Sequence, residues 1–288
     1  MTRNLWKILD EHLEKGDCSP YDYYRHGCAL SCVQWINEAL NETYGKDVHI
    51  HYTAWPEHFN RTPREIGGAA AAISPWTQYI IYFIVGNEMD RPVRKEYKLI
   101  LPADLAYAWQ QATVNGDTLL SSEAHVLVDA THTSHATHVT PTMVACLMVV
   151  LALLTFFVPK PWAFGIDSII IGIQTLLGCF MTYLVGFSDL CCTDWNWLLI
   201  AFNPLPLFLL LSLRKNARHR LLGWFAFGLA VVNIVWCVVM LCVPRTIVIA
   251  PHILQTLACS ICMMHLATAW AKVVVAPHLT KVSNQSPS

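Results

Sequence analysis

The 288-residue chain has little charge. Lys, Arg, Asp and Glu together make up 14% of it, and the formal net charge is −1. No basic field is present to hold a polyanion, which argues against nucleic acid as a partner. The opening stretch, MTRNLWKILDEHLEKGD, lacks a basic start followed by an apolar core, so it does not read as a signal peptide. It reads instead as an amphipathic helix with Leu5, Ile8, Leu9 and Leu13 on one face. There are eleven cysteines, but no CxxC pair accompanies a histidine at zinc-finger spacing. Most of the cysteines, Cys146, Cys179, Cys237, Cys259 and Cys262 among them, sit in apolar runs, where cysteine acts as a small hydrophobe. Neither a disulfide framework, a metal site nor a cofactor is expected.

Hydrophobic residues make up 55% of the chain and the mean hydropathy is +0.40. These averages join two unlike halves. Most of the charge precedes residue 130, and the long apolar runs follow residue 140. The expected organisation is a thiol-bearing domain over 1–114, a linker over 115–140, a membrane domain over 141–275 and a tail over 276–288. The connector holds His125, His132, His135 and His138 among many Thr, Ser and Ala residues, a linker composition. Five spans are expected, at about 142–158, 167–187, 196–213, 221–243 and 247–271, each near the ~20 residues a bilayer requires.

Charge sets an orientation. The loop Arg214–Arg220 carries four bases and belongs on the cytoplasmic side. Residues 188–194 carry two acids and no base and belong outside. Counting back puts residues 1–140 outside the cytoplasmic membrane, which conflicts with the missing signal peptide.

The stretch YDYYRHGCALSCVQWINEAL, residues 21–40, turns from aromatic residues to a helical period at Gly27-Cys28. Leu30, Val33, Ile36 and Leu40 recur at three- and four-residue steps, so a helix starts near Cys28. A thiol in the first turn faces free backbone N–H groups that stabilise negative charge. That suits a nucleophile, and equally a buried helix-start cysteine beside Cys32. Val48, Ile50 and Tyr52 alternate with His49 and His51, which predicts a short strand. His51 is the internal candidate for a base; as a solvated strand residue it needs no such role. Thr62-Pro-Arg-Glu predicts a capped helix start, and Ser74-Pro-Trp-Thr opens a buried apolar helix ending at Gly86. Leu101-Pro-Ala-Asp-Leu opens another, closed by a turn at Asn115-Gly-Asp. In the membrane half, Asp167, Asn233 and His265 read as polar glue between helices. Asn203 with Pro204 and Pro206 interrupts the third span and, with Trp197, is the candidate for a lipid cleft.

Several of these stretches together resemble the Bacteroides-type lipoprotein N-acyltransferases, the Lnb-like proteins. They are YDYYRHGCALSC, TPREI, PWTQYIIYFIVGNEMDR and LILPADL, followed by Asp167, Phe187-Ser188, Trp195-Asn196-Trp197 and Asn203-Pro204-Leu205. The resemblance covers about residues 15–210 and lies in the order of the motifs. It implies an α-rich membrane protein: a partial papain-like α+β thiol domain, mostly helical here, on a five-helix transmembrane bundle. It also implies a multi-pass protein of the bacterial inner membrane with its N-terminal domain in the periplasm. Cys28 would take an acyl chain from a phospholipid as a thioester and pass it to the N-terminal amine of a lipoprotein. Three departures stand out. The family's histidine would fall upstream of Met1, the Asn before the cysteine is Gly27, and an Asp of the third motif is Tyr82. On these grounds the chain is expected to be the C-terminal part of such an enzyme, incomplete or inactive alone, through a truncated reading frame or a decayed copy. The alternatives are a non-catalytic membrane protein that binds lipid or a partner, and a membrane-anchored thiol peptidase.

Overall fold

The computed structural model describes residues 1–16, 27–55, 61–72, 74–92, 99, 101–120, 138–212, 219–242 and 249–283. Cys18, residues 21–26 with His26, and the connector histidines 125, 132 and 135 lie outside the described residues, as does most of the basic loop 214–220. In chain order the helices are α1 (Thr2–Lys15), α2 (Cys28–Tyr44), α3 (Pro63–Ala70), α4 (Pro75–Ile84) and α5 (Pro102–Gln110). The hairpin strands β1 (Thr113–Val114) and β2 (Asp117–Thr118) follow. Then come α6 (Pro141–Leu154), α7 (Lys160–Phe187), α8 (Leu198–Ala201), α9 (Leu207–Ser212), α10 (His219–Cys242) and α11 (Ala250–Ser283). The protein is an α-rich membrane protein. Its chain forms two compact units: Met1–Ile66 with Glu88–His135 and Leu190–Cys192, and Gly67–Asn87 with Ala136–Asp189 and Thr193–Ser288.

In the first unit α1 and α2 pack antiparallel. Asn4 donates to Thr43 Oγ1 at 3.0 Å, and the His12 and Trp35 rings lie 6.1 Å apart. Ile8 is the buried residue of α1; Leu13, expected on the same face, is exposed. The Gly16 N–H returns to the carbonyls of His12 and Leu13 in a left-handed cap that stops the helix. The inner face of α2 meets α5 through Ala29, Leu105 and Ala108, with Cys32 and Val33 packed on them. A second cluster joins Leu40, Ile50 and Ala112.

The predicted strand at 48–52 reduces to one bridge, in which His51 and Thr113 exchange backbone hydrogen bonds of 2.8 and 3.0 Å. Its neighbour is only a two-residue strand, so no longer ladder can form. That neighbour turns through Asn115 at φ 54 and Gly116 at φ 93, the left-handed pair of a tight hairpin.

Thr62 and Glu65 cap α3 reciprocally: the Thr62 N–H donates to Glu65 Oε2 at 2.7 Å, and the Glu65 N–H to Thr62 Oγ1 at 3.3 Å. One residue into that helix, Arg64 is 2% exposed and grips Asp90 with two hydrogen bonds, of 2.7 and 3.2 Å. Two sequence motifs, TPREI and NEMDR, are thereby one contact. Burial pushes the Asp90 carboxyl above its ordinary range, and the Arg64 guanidinium opposes that.

In the second unit α4 starts at an N-cap, with Ser74 Oγ accepting from the Thr77 N–H, and docks on α11. Tyr79 donates to Gln255 Oε1 at 2.8 Å and stacks on His252 with ring centroids 4.4 Å apart. The sequence groups this helix with residues 1–114; in the structure it belongs to the same unit as the membrane helices.

Among the described residues three helices are long and apolar enough to cross a bilayer: Lys160–Phe187, Leu221–Cys242 and Ala250–Trp270. Pro141–Leu154 is shorter. The expected third span is two short helices, α8 and α9, separated by Phe202–Pro206. Pro204 and Pro206 have no N–H to donate and push Asn203 and Leu205 out of helical geometry. The bundle core is built of small residues, Ala226, Ala230, Ala258, Cys259 and Cys262, all 0% exposed. Small side chains let helix backbones approach where lipid offers no hydrophobic drive.

Replacing Arg64 by Met should destabilise the first unit by about 3–5 kcal/mol, because it leaves a carboxylate buried without its partner. Hydrogen exchange through α3 reads the loss. With the guanidinium gone the Asp90 carboxyl rises further, so the deficit should shrink as pH falls and that group becomes neutral. A deficit that is unchanged or larger at acidic pH would contradict this account.

Candidate functional site

Cys28 occupies the first position of α2, after Gly27, whose backbone is extended at φ −75 and ψ 161. The thiol is exposed, whereas Cys32, one turn on, is half-buried in the apolar α2–α5 cluster. Gly27 itself puts no side-chain cap over the first turn, where N–H groups favour a charge on sulfur. His51 is exposed on the bridge to Thr113 and makes no hydrogen bond to Cys28. The structure therefore places the thiol as the sequence expects and does not join it to the candidate base.

Two polar constellations of the membrane unit stand out among the described residues. In the first, His265 Nδ1 lies 2.7 Å from Asp167 Oδ2, joining α11 to α7 across 98 residues of sequence. Asp167 is 0% exposed and is the only acid in α7. Phe156 and Phe164 flank the imidazole, at 5.1 and 6.3 Å between ring centroids. The sequence reading treats each residue as separate glue and misses the pair. The signal lay in the rule that ionisable groups inside apolar spans seek each other.

The second constellation is the loop Asp194–Trp197. Asn196 is buried and spends its whole amide on backbone. Its Nδ2 donates to the carbonyls of Phe83 at 2.8 Å and Val85 at 3.2 Å, and its Oδ1 accepts from the Leu198 N–H at 3.0 Å. Asn87 Oδ1 accepts from the Trp197 N–H at 3.2 Å, and the Trp236 indole donates to the Trp197 carbonyl at 3.0 Å. Gly86 is obligatory here, since any Cβ would run into the Asp194 carbonyl. Trp195 takes the left-handed φ of 49 with its ring 83% exposed. Beside the loop opens a cleft of about 560 Å³, lined by Val185, Trp195, Trp197, Leu199 and Ile200, with Asn87, Asp194 and Asn196 as its polar members.

Of the three residues expected to shape a lipid cleft, Trp197 lines this one; Asn203 and Pro204 do not. Asn203 serves the chain break instead. Its Nδ2 donates to the Ile200 carbonyl at 2.8 Å and its Oδ1 accepts from the Leu205 N–H at 3.1 Å. Gly178 of α7 admits this loop, for a Cβ there would lie 2.5 Å from the Asn203 backbone. Leu199, Ile200 and Asp194 carry no motif of their own, so the sequence does not mark them as lining.

Residues 132–272 match the family model described as the Lnb transmembrane domain. The membrane half of this chain is of the Lnb type. The match falls on the helices α6 to α11, the Asp167–His265 pair and the Trp195–Trp197 loop, and agrees with the motif resemblance over the membrane half. No curated protein and no solved structure matches the chain.

In this Lnb-like bundle the Asp167–His265 pair should behave as a unit. Asp167→Leu alone should cost about 1–3 kcal/mol, because it strands a polar imidazole in the bundle. Asp167→Leu with His265→Phe should recover most of that, measured as thermal unfolding of the detergent-solubilised protein. A double variant no better than the single would mean that the two residues act separately.

Proposed function

We propose that this Lnb-type membrane protein moves an acyl chain from a phospholipid to the N-terminal amine of a lipoprotein. The observation that carries the reading is the match of residues 132–272 to the Lnb transmembrane domain. The exposed thiol at the start of α2 supports it. A base takes the proton of the Cys28 thiol and the thiolate attacks the ester carbonyl of the phospholipid; the carbon–oxygen bond breaks and the lysophospholipid leaves with that proton, returned by the base. The lipoprotein amine then attacks the thioester, the carbon–sulfur bond breaks, and the amine's proton goes to a base. His51 is the internal candidate for that base. The protein sits in the bacterial inner membrane and works on its periplasmic side.

The first half-reaction gives the test. Incubation with an alkyne-tagged phospholipid should leave a hydroxylamine-sensitive acyl adduct on Cys28. Cys28→Ser should abolish it and Cys32→Ser should keep it. Positioned acid–base help is typically worth ~10²–10⁴ in rate, so His51→Ala should slow transfer to the amine by that range if His51 is the base. Phospholipid binding without any adduct would instead favour the non-catalytic lipid-binding reading, and cleavage of peptides without acyl transfer the peptidase reading.

Orientation is tested separately. Reporter fusions should place residue 216 in the cytoplasm and residue 191 outside it, following the basic and acidic loops. The opposite placement at either position would remove the periplasmic assignment of residues 1–140.

A further inference from the structure

The cleft beside Trp195–Trp197 has walls fixed by backbone hydrogen bonds rather than by packing alone. Asn196 ties it to the end of α4, Asn87 ties it to the Trp197 N–H, and Trp236 holds the Trp197 carbonyl. Its volume of about 560 Å³ falls in the ~300–1,000 Å³ range of small-molecule sites. Three features bear on the occupant. Val185 lies near the end of α7, one of the three helices fit to cross a bilayer, so the apolar wall continues a surface that faces lipid. Trp195 and Trp197 are exposed just past that helix end, where amphipathic rings settle at the membrane–water interface. Among the described lining residues Asp194 is the only ionisable one, and no base is among them.

We infer that the cleft seats one acyl chain of a phospholipid with a cationic headgroup of the ethanolamine type, whose ammonium lies at Asp194. This rests on the acyl-transfer reading only for its purpose, and names the donor class for it. A tail that moves from the bilayer into an apolar cleft gains nothing from leaving water, because the lipid around it is already apolar. Selection among lipids therefore falls to the headgroup. A rim whose described residues hold one acid and no base attracts an ammonium and repels a headgroup that offers only phosphate.

The test is photo-crosslinking of the full chain in vesicles. Two probes carry the same diazirine-bearing acyl chain, one on a phosphoethanolamine headgroup and one on a phosphoglycerol headgroup. Labelled peptides are mapped by mass spectrometry. The ethanolamine probe should label residues 195–200 at least about fivefold more than the glycerol probe. At Leu176, an apolar residue of α7 that is 71% exposed, the two should label equally. Asp194→Asn should bring the probes within about twofold of each other at 195–200, and Ile200→Trp, which fills the cleft, should reduce labelling by both. Equal labelling by the two probes at 195–200 in the unaltered protein would overturn the inference, as would a preference that survives Asp194→Asn. The readout needs no acyl product. Selective labelling without a Cys28 adduct would sink the acyl-transfer reading and leave this one standing, and the reverse result would do the opposite.

Discussion

Inside a bilayer every backbone N–H and C=O must find its partner within the protein, since no water is there to supply one. The segment 198–212 breaks that rule locally, because two prolines stop the helix, and much of the surrounding structure answers it. Gln174 donates to the freed Ala201 carbonyl at 2.9 Å. Asn203 caps Ile200 behind it and Leu205 ahead of it. Gly178 lets the loop lie against α7. Upstream, Asn196 closes off the end of α4 with the same economy. Each unsatisfied group would cost several kcal/mol, so these few amides decide where the chain can leave the helix and what shape it takes outside.

Local signals carried far in this sequence. The Thr62–Glu65 box, the Ser74 cap, the start of α2 at Cys28 and the tight turn at Asn115-Gly116 all depend on residues within four positions of one another, and each is where its pattern puts it. Patterns that depend on distant partners did not carry. The alternation at 48–52 is a strand pattern, yet strand length is set by the neighbour, and the neighbour is two residues long. Asp167 and His265 each look like isolated polar intrusions until α7 and α11 are laid side by side. Apolar run lengths located the long helices, and Pro204 with Pro206 marked the break in the third run, but run length alone did not show that both pieces are short.

The candidate chemistry divides in the same way. Cys28 is legible because a helix start is local. The cleft is not, because its walls come from the end of α7, the turn at Asn87 and the start of α8, and only Trp195 and Trp197 stand out in the sequence. The resemblance drew attention to Trp195-Asn196-Trp197 without dividing the labour among the three. The structure does: the two rings face outward, and the asparagine between them is a buried clamp.

The polar load of α11 bears on how the protein enters the membrane. Its span is the least apolar of the three, and it carries Gln255, Thr256 and Ser260 on surfaces that are buried by other helices, with His265 partly buried beside them. Thr256 and Ser260 turn their hydroxyls back to carbonyls four residues earlier, which relieves part of that load within the helix itself. Gln255 and His265 have no such internal remedy; their partners are Tyr79 of α4 and Asp167 of α7. The last span is therefore poorly suited to partition into lipid on its own, and its insertion is coupled to helices already delivered by the ribosome. Entry of α11 into the membrane is thereby expected to depend on α4 and α7 being in place to partner its polar groups.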